Sequence, residues 1–101
     1  MMLTSSQKED IKLTIKRLLE NEQEINKIMI FGSFLYSAEP NDIDVAVFQN
    51  SDEKYLPLAL KYRKLVRKLA GIIPVDIFPV RPGAQGLLMD EITTGEVLYE
   101  K

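Results

Sequence analysis

A chain of 101 residues, 46% hydrophobic and 28% charged, is long enough for one compact domain, read here as residues 1–101, but not for a separate substrate domain as well. It contains neither cysteine nor histidine, which excludes disulfide frameworks, thiolate nucleophiles, cysteine-based metal centres and imidazole acid–base chemistry. Its 13 Lys and Arg against 15 Asp and Glu, a formal net charge of -2 and a pI of about 5.1 oppose a general nucleic-acid binder.

The first residues, Met1 to Lys8, hold no apolar stretch of signal-peptide length, and no segment approaches the roughly 18 apolar residues of a membrane span. A cytoplasmic location is the expectation. Ser6 with Glu9 fits a capping box, and Ile11, Ile15, Leu18 and Leu19 trace one face, so a helix is predicted from about Gln7 to Glu24. Lys27–Phe31 is a short apolar run closed by Gly32 and reads as a buried strand, with a short helix over Ser33–Ser37. After a loop to Asn41, Asp42–Phe48 reads as a second strand, with Asp42 and Asp44 on one face and Ile43 and Val45 on the other. A helix follows from about Lys54 to Ala70, with Pro57 in its first turn and Gly71 at its end. Ile72–Val80 is a third strand placed near a sheet edge by its prolines, Gly83–Glu91 a short helix, and Gly95–Tyr99 a strand-like close. The fold class is therefore α/β in the α+β sense, a small mixed sheet packed with helices.

The chemistry concentrates in three aspartates. Asp44 sits between Ile43 and Val45, and Asp76 between Val75 and Ile77, where an ionised carboxylate costs desolvation energy unless it finds an edge, a partner or a metal. Asp42 shares the face of Asp44, and Asp76 can close the cluster from a neighbouring strand. Three such carboxylates repel one another until a cation or a proton compensates, and a donor set of oxygens alone favours Mg2+ or Mn2+ over zinc. Gly32 and Ser33, between a strand and a helix start, add a close backbone approach and a hydroxyl suited to phosphate oxygens.

The run from Gly32 through Asp42-Ile43-Asp44 to Phe48 resembles the signature of the polymerase-beta-like nucleotidyltransferase superfamily, and within it the minimal nucleotidyltransferases encoded beside HEPN-domain proteins. Gly32 and Ser33 match the Gly-Ser pair, Asp42 and Asp44 the Asp-x-Asp dyad, and Asp76 fits the third carboxylate. The close Glu91–Glu100 also resembles the family's ending, so the likeness runs from about Ile28 to Glu100. Two departures stand out: the interval from Ser33 to Asp42 is short, and Ser37-Ala38 occupies the place of a frequent Arg-Gly-like pair.

The resemblance implies a polymerase-beta palm-like fold and a Mg2+-dependent transfer of a nucleoside monophosphate, AMP from ATP foremost. Asp42, Asp44 and Asp76 would bind the metal, Gly32 and Ser33 the phosphates, and Asp76 would assist deprotonation of the attacking hydroxyl. It also implies a HEPN-type toxin partner whose tyrosine is the acceptor, which makes the chain an antitoxin. A catalytically idle subunit that blocks a partner's surface stays open, as do a small-molecule or RNA-end acceptor and a homo-oligomer. The basic cluster Lys61, Arg63, Lys64, Arg67 and Lys68 reads first as a solvated helix face, and Tyr62 as core.

Overall fold

The computed structural model describes residues 2–101. Helix α1 spans Ser5–Leu19 and is capped by Thr4, not Ser6. Thr4 Oγ1 accepts from the Gln7 amide at 3.1 Å, and Gln7 Oε1 accepts from the Thr4 amide at 2.8 Å. The cause lies outside the helix: Leu3 is buried and its amide donates to the Ala38 carbonyl at 2.9 Å, which docks the chain one residue before Thr4. Both Thr4/Gln7 and Ser6/Glu9 satisfy the local pattern, and the docked segment selects the first. The helix also stops at Leu19 rather than near Glu24, because Ile25 is already buried in strand β1, Ile25–Phe31.

A 3-10 turn, Gly32–Leu35, follows β1 directly, and β2 spans Ile43–Gln49. The helix expected over Lys54–Ala70 is two pieces, α2 (Tyr55–Leu65) and α3 (Arg67–Ala70), separated at Val66. The break keeps Val66 and Leu69 both in the core. Strand β3 begins at Val75 rather than Ile72, since the amides of Ile72 and Ile73 both turn back to the Leu69 carbonyl at 2.8 Å. Helix α4 covers Leu87–Ile92 and β4 Glu96–Glu100.

The strands form one mixed sheet in the order β3-β2-β1-β4, with β1 antiparallel to β2 and β4, and β2 parallel to β3. The parallel pair requires the crossover that α2 and α3 supply. β3 lies at an edge, as its prolines suggested, where the missing N–H of Pro79 is tolerated. Ile28, Ile30, Ile43, Val45 and Val47 pack on one face against Ile15 and Leu19 of α1 and Leu58 and Tyr62 of α2. The other face carries a smaller cluster of Met29, Phe31, Ala46, Val80 and Ile92, with the Phe31 and Phe78 rings 5.6 Å apart. The first face is thus sealed by long helices, whereas the second is covered only by α4 and stays partly open.

Tyr62 is core, as expected, and its hydroxyl donates to Glu24 Oε2 at 2.9 Å. Lys61 pairs with Glu22 at 3.0 Å and with Glu24 at 2.9 Å, so the one half-buried member of the basic cluster is neutralised within the chain. Arg63, Lys64, Arg67 and Lys68 are exposed on the helices of the sealed face. No helix is long and apolar enough to cross a membrane among the described residues.

Candidate active site

Alternation along β2 decides where its charge goes. Ile43, Val45 and Val47 are fully buried under the helices, so Asp44 must point to the open face. Asp42 falls one residue before the strand rather than at its first position. It is held there because the Ile43 amide donates to the Pro74 carbonyl at 2.8 Å, tying the start of β2 to the start of β3. In the parallel register Asp44 stands opposite Asp76, so two carboxylates from adjacent strands share one face at one level. The result is a cluster in which ligand oxygens of Asp42, Asp44 and Asp76 all lie within 4.8 Å of one another, each residue half-buried.

The glycine is the fourth wall. Phe31, the last residue of β1, pairs with Asp44, which brings Gly32 to the carboxylate. Gly32 has φ 82, and a Cβ there would stand 2.6 Å from Asp44 Oδ2. Both the left-handed backbone and the close approach demand glycine. Ser33 follows, exposed, and its carbonyl accepts from the Tyr36 and Ser37 amides at 3.1 and 2.8 Å, which curls the loop tightly. Phe34 is buried beneath the loop, so it has no free ring face for a base, whereas Tyr36 is exposed.

Electrostatically the cluster is under strain. Burial, then the charges of Asp42, Asp76 and Glu91, push the Asp44 carboxyl up to about 6. A cation placed among the three carboxylates reverses each of these charge effects, and the hard oxygen donors match Mg2+ or Mn2+ rather than zinc. The residues present therefore fit a divalent ion.

Glu91 of α4 was not singled out from sequence. It reaches the neighbourhood of Asp44 because α4 is clamped to β1 through Gly95, where a Cβ would collide with the Ile30 carbonyl and stand 2.9 Å from Phe31 Cβ. The glycine at the end of the α4 turn was the available signal.

Three carboxylates thus converge at the strand ends of a mixed sheet with a glycine turn against them, an arrangement suited to a metal-bound polyphosphate. The sequence profile described as "Polymerase beta, Nucleotidyltransferase" matches residues 13–101. The chain belongs to this polymerase-beta nucleotidyltransferase family. Among solved structures it is similar to a complex of an MNT antitoxin with a tri-AMPylated Shewanella oneidensis HEPN toxin, at 25% identity, 93% of this chain, 73% of that one and a TM-score of 0.69. A toxin–antitoxin structure with AMP-PNP is similar at 26% identity, 89% and 73% coverage and a TM-score of 0.63. The MntA–HepT toxin–antitoxin complex shares the fold at 23% identity, 92% and 73% coverage and a TM-score of 0.67. No curated protein sequence matches the chain.

Proposed function

We propose that this chain is a minimal nucleotidyltransferase domain that transfers AMP from ATP to a tyrosine hydroxyl of a HEPN-type partner in the cytoplasm, and so acts as an antitoxin. The observation that carries the reading is the convergence of Asp42, Asp44 and Asp76 within 4.8 Å against Gly32, in a chain of the nucleotidyltransferase family. The similarity to an MNT antitoxin bound to a tri-AMPylated HEPN toxin supports both the transferred group and the partner. The similarity to a structure with AMP-PNP supports an adenine nucleotide.

Asp42 and Asp44, with Asp76, would hold a divalent ion such as Mg2+. When bound, the ion would supply charge neutralisation for the phosphates and for the developing oxygen charge. The Gly32–Ser33 turn holds the outer phosphates and so aligns pyrophosphate as the leaving group. Asp76 orients the acceptor hydroxyl and takes its proton. The tyrosine oxygen forms a bond to the α-phosphorus, the bond from that phosphorus to the bridging oxygen breaks, and pyrophosphate departs with the electron pair. A docked partner both presents the hydroxyl and shields the half-open face from water.

The test is transfer of label from α-labelled ATP, with Mg2+, to the protein that copurifies with this chain from its native host. One labelled partner, lost in the Asp42→Asn/Asp44→Asn variant while its melting curve stays cooperative, supports the reading. An intact complex that takes no label from any nucleotide overturns it in favour of a subunit that neutralises by blocking.

A further inference from the structure

Lys8 belongs to α1, on the far side of the chain from the acidic strands in sequence, yet it ends on the loop that follows Gly32. Its Nζ donates to the Ser37 carbonyl at 2.6 Å and lies 5.4 Å from the centre of the Phe34 ring. Next to that contact, the Leu3 amide donates to the Ala38 carbonyl at 2.9 Å. The amino-terminal segment therefore grips two consecutive carbonyls at the outgoing end of the loop. The ingoing end is fixed by Gly32 against Asp44, and the middle by buried Phe34. Of these anchors only Lys8 carries a positive charge.

Lys12 and Lys61 are each paired with two glutamates, whereas Lys8 has no carboxylate partner among the described residues. Its positive charge is spent on a backbone carbonyl of the loop and on an aromatic face, contacts that attract a cation without cancelling it. The loop it holds borders a cluster of three carboxylates, where a bound polyphosphate needs compensating positive potential from the protein.

We propose that Lys8 is a positioning residue of the nucleotide site: by clamping the Ser37 carbonyl it holds residues 33–38 in the phosphate-receiving shape, and it lends that loop the positive potential a triphosphate requires. The proposal rests on the reading of Gly32–Ser33 as the phosphate-holding turn. It acts through the loop and touches no reacting atom.

The experiment uses the full chain with its copurified partner and compares K8M, K8Q and K8R. K8M keeps an unbranched side chain of similar length and removes the charge, with it the hydrogen bond to Ser37 and the cation's contact with the Phe34 ring. Expected for K8M and K8Q are a rise of about tenfold in the KM for ATP and in the Kd of Mg-AMP-PNP by calorimetry, the scale of one lost charge-assisted bond. The kcat should move less than about twofold, the KM for the protein acceptor should not move, and K8R should recover most of the loss. Amide exchange at Tyr36–Ala38 in the nucleotide-free chain should quicken in K8M and not in K8R. Unchanged nucleotide affinity in K8M and K8Q overturns the proposal, as does a fall in kcat with the KM for ATP unmoved. Failure of the wild-type chain to bind Mg-AMP-PNP at all would instead remove the nucleotide-site reading on which the proposal stands, and the proposal with it.

Discussion

Replacing Gly32 with alanine separates two physical demands that the structure places on one atom. The residue has φ 82, and a left-handed backbone costs a β-carbon-bearing residue about 1–2 kcal/mol. The added Cβ would also stand 2.6 Å from Asp44 Oδ2, a contact relieved by swinging that carboxylate out of its place beside Gly32, at about 1–2 kcal/mol more. Gly32→Ala should therefore destabilise the metal-free chain by about 2–4 kcal/mol. In an Asp44→Ala background the oxygen is gone, and the same substitution should cost only the backbone share, about 1–2 kcal/mol. Urea unfolding in EDTA reads both, because with an m-value of about 1–2 kcal/mol/M each loss shifts the midpoint by a measurable fraction of a molar or more. The difference between the two backgrounds is the coupling of Gly32 to Asp44, expected at about 1–2 kcal/mol. Equal losses in both backgrounds would refute the contact, and with it the claim that glycine is required here for space as well as for φ.

Further outcomes follow from the same geometry. Asp44, pushed up to about 6 by burial and by its acidic neighbours, binds more protons folded than unfolded between about pH 4 and 6, so it makes stability fall as pH rises through that window and stay level above it. With screening at a half-exposed site, Asp44→Asn should flatten that slope and stabilise the metal-free chain at pH 7.5 by about 1 kcal/mol, read from urea titrations across pH; a wild-type slope retained by the variant would refute it. Glu24 runs the other way: burial raises it, but Lys61, its own amide and Tyr62 outweigh this and lower it, so its contribution is present at neutral pH and lost on acidification. Tyr62→Phe should cost about 1–2 kcal/mol at pH 7 and less at pH 3, by the same titration. Gly95→Ala, whose Cβ would meet the Ile30 and Ile92 carbonyls and Phe31, should cost about 2–4 kcal/mol in thermal or urea unfolding, because backbone atoms cannot turn aside as a carboxylate can.

Much of the candidate site is legible because its signals are local and contradictory to their surroundings. An aspartate between isoleucine and valine in a strand has no cheap structural reason to be there, and two such positions point to a shared ligand before any fold is known. The Gly32-Ser33 pair before the Asp42-x-Asp44 strand adds direction. The boundaries were less legible, each for a tertiary reason. Thr4 rather than Ser6 caps α1 because Leu3 is docked on Ala38, and the helix through Ala70 breaks at Val66 so that Val66 and Leu69 can both reach the core.

The amino-acid sequence by itself determined the chemistry available: oxygen ligands without histidine or cysteine, the alternation that turns Asp44 away from the helices, and a glycine where no side chain fits. Only the tertiary structure decided what meets what. The parallel register sets Asp76 level with Asp44, a choice among registers that no single strand contains. The clamp at Gly95 brings Glu91 toward the site, and the docking of the first turn brings Lys8 onto the Ser37 carbonyl. Local pattern specifies which face a side chain occupies, because the periods of helix and strand are intrinsic to the backbone. Pairing across 29 or more residues, as between Lys8 and Ser37, depends on the whole core closing, and so it can be seen only in the folded chain.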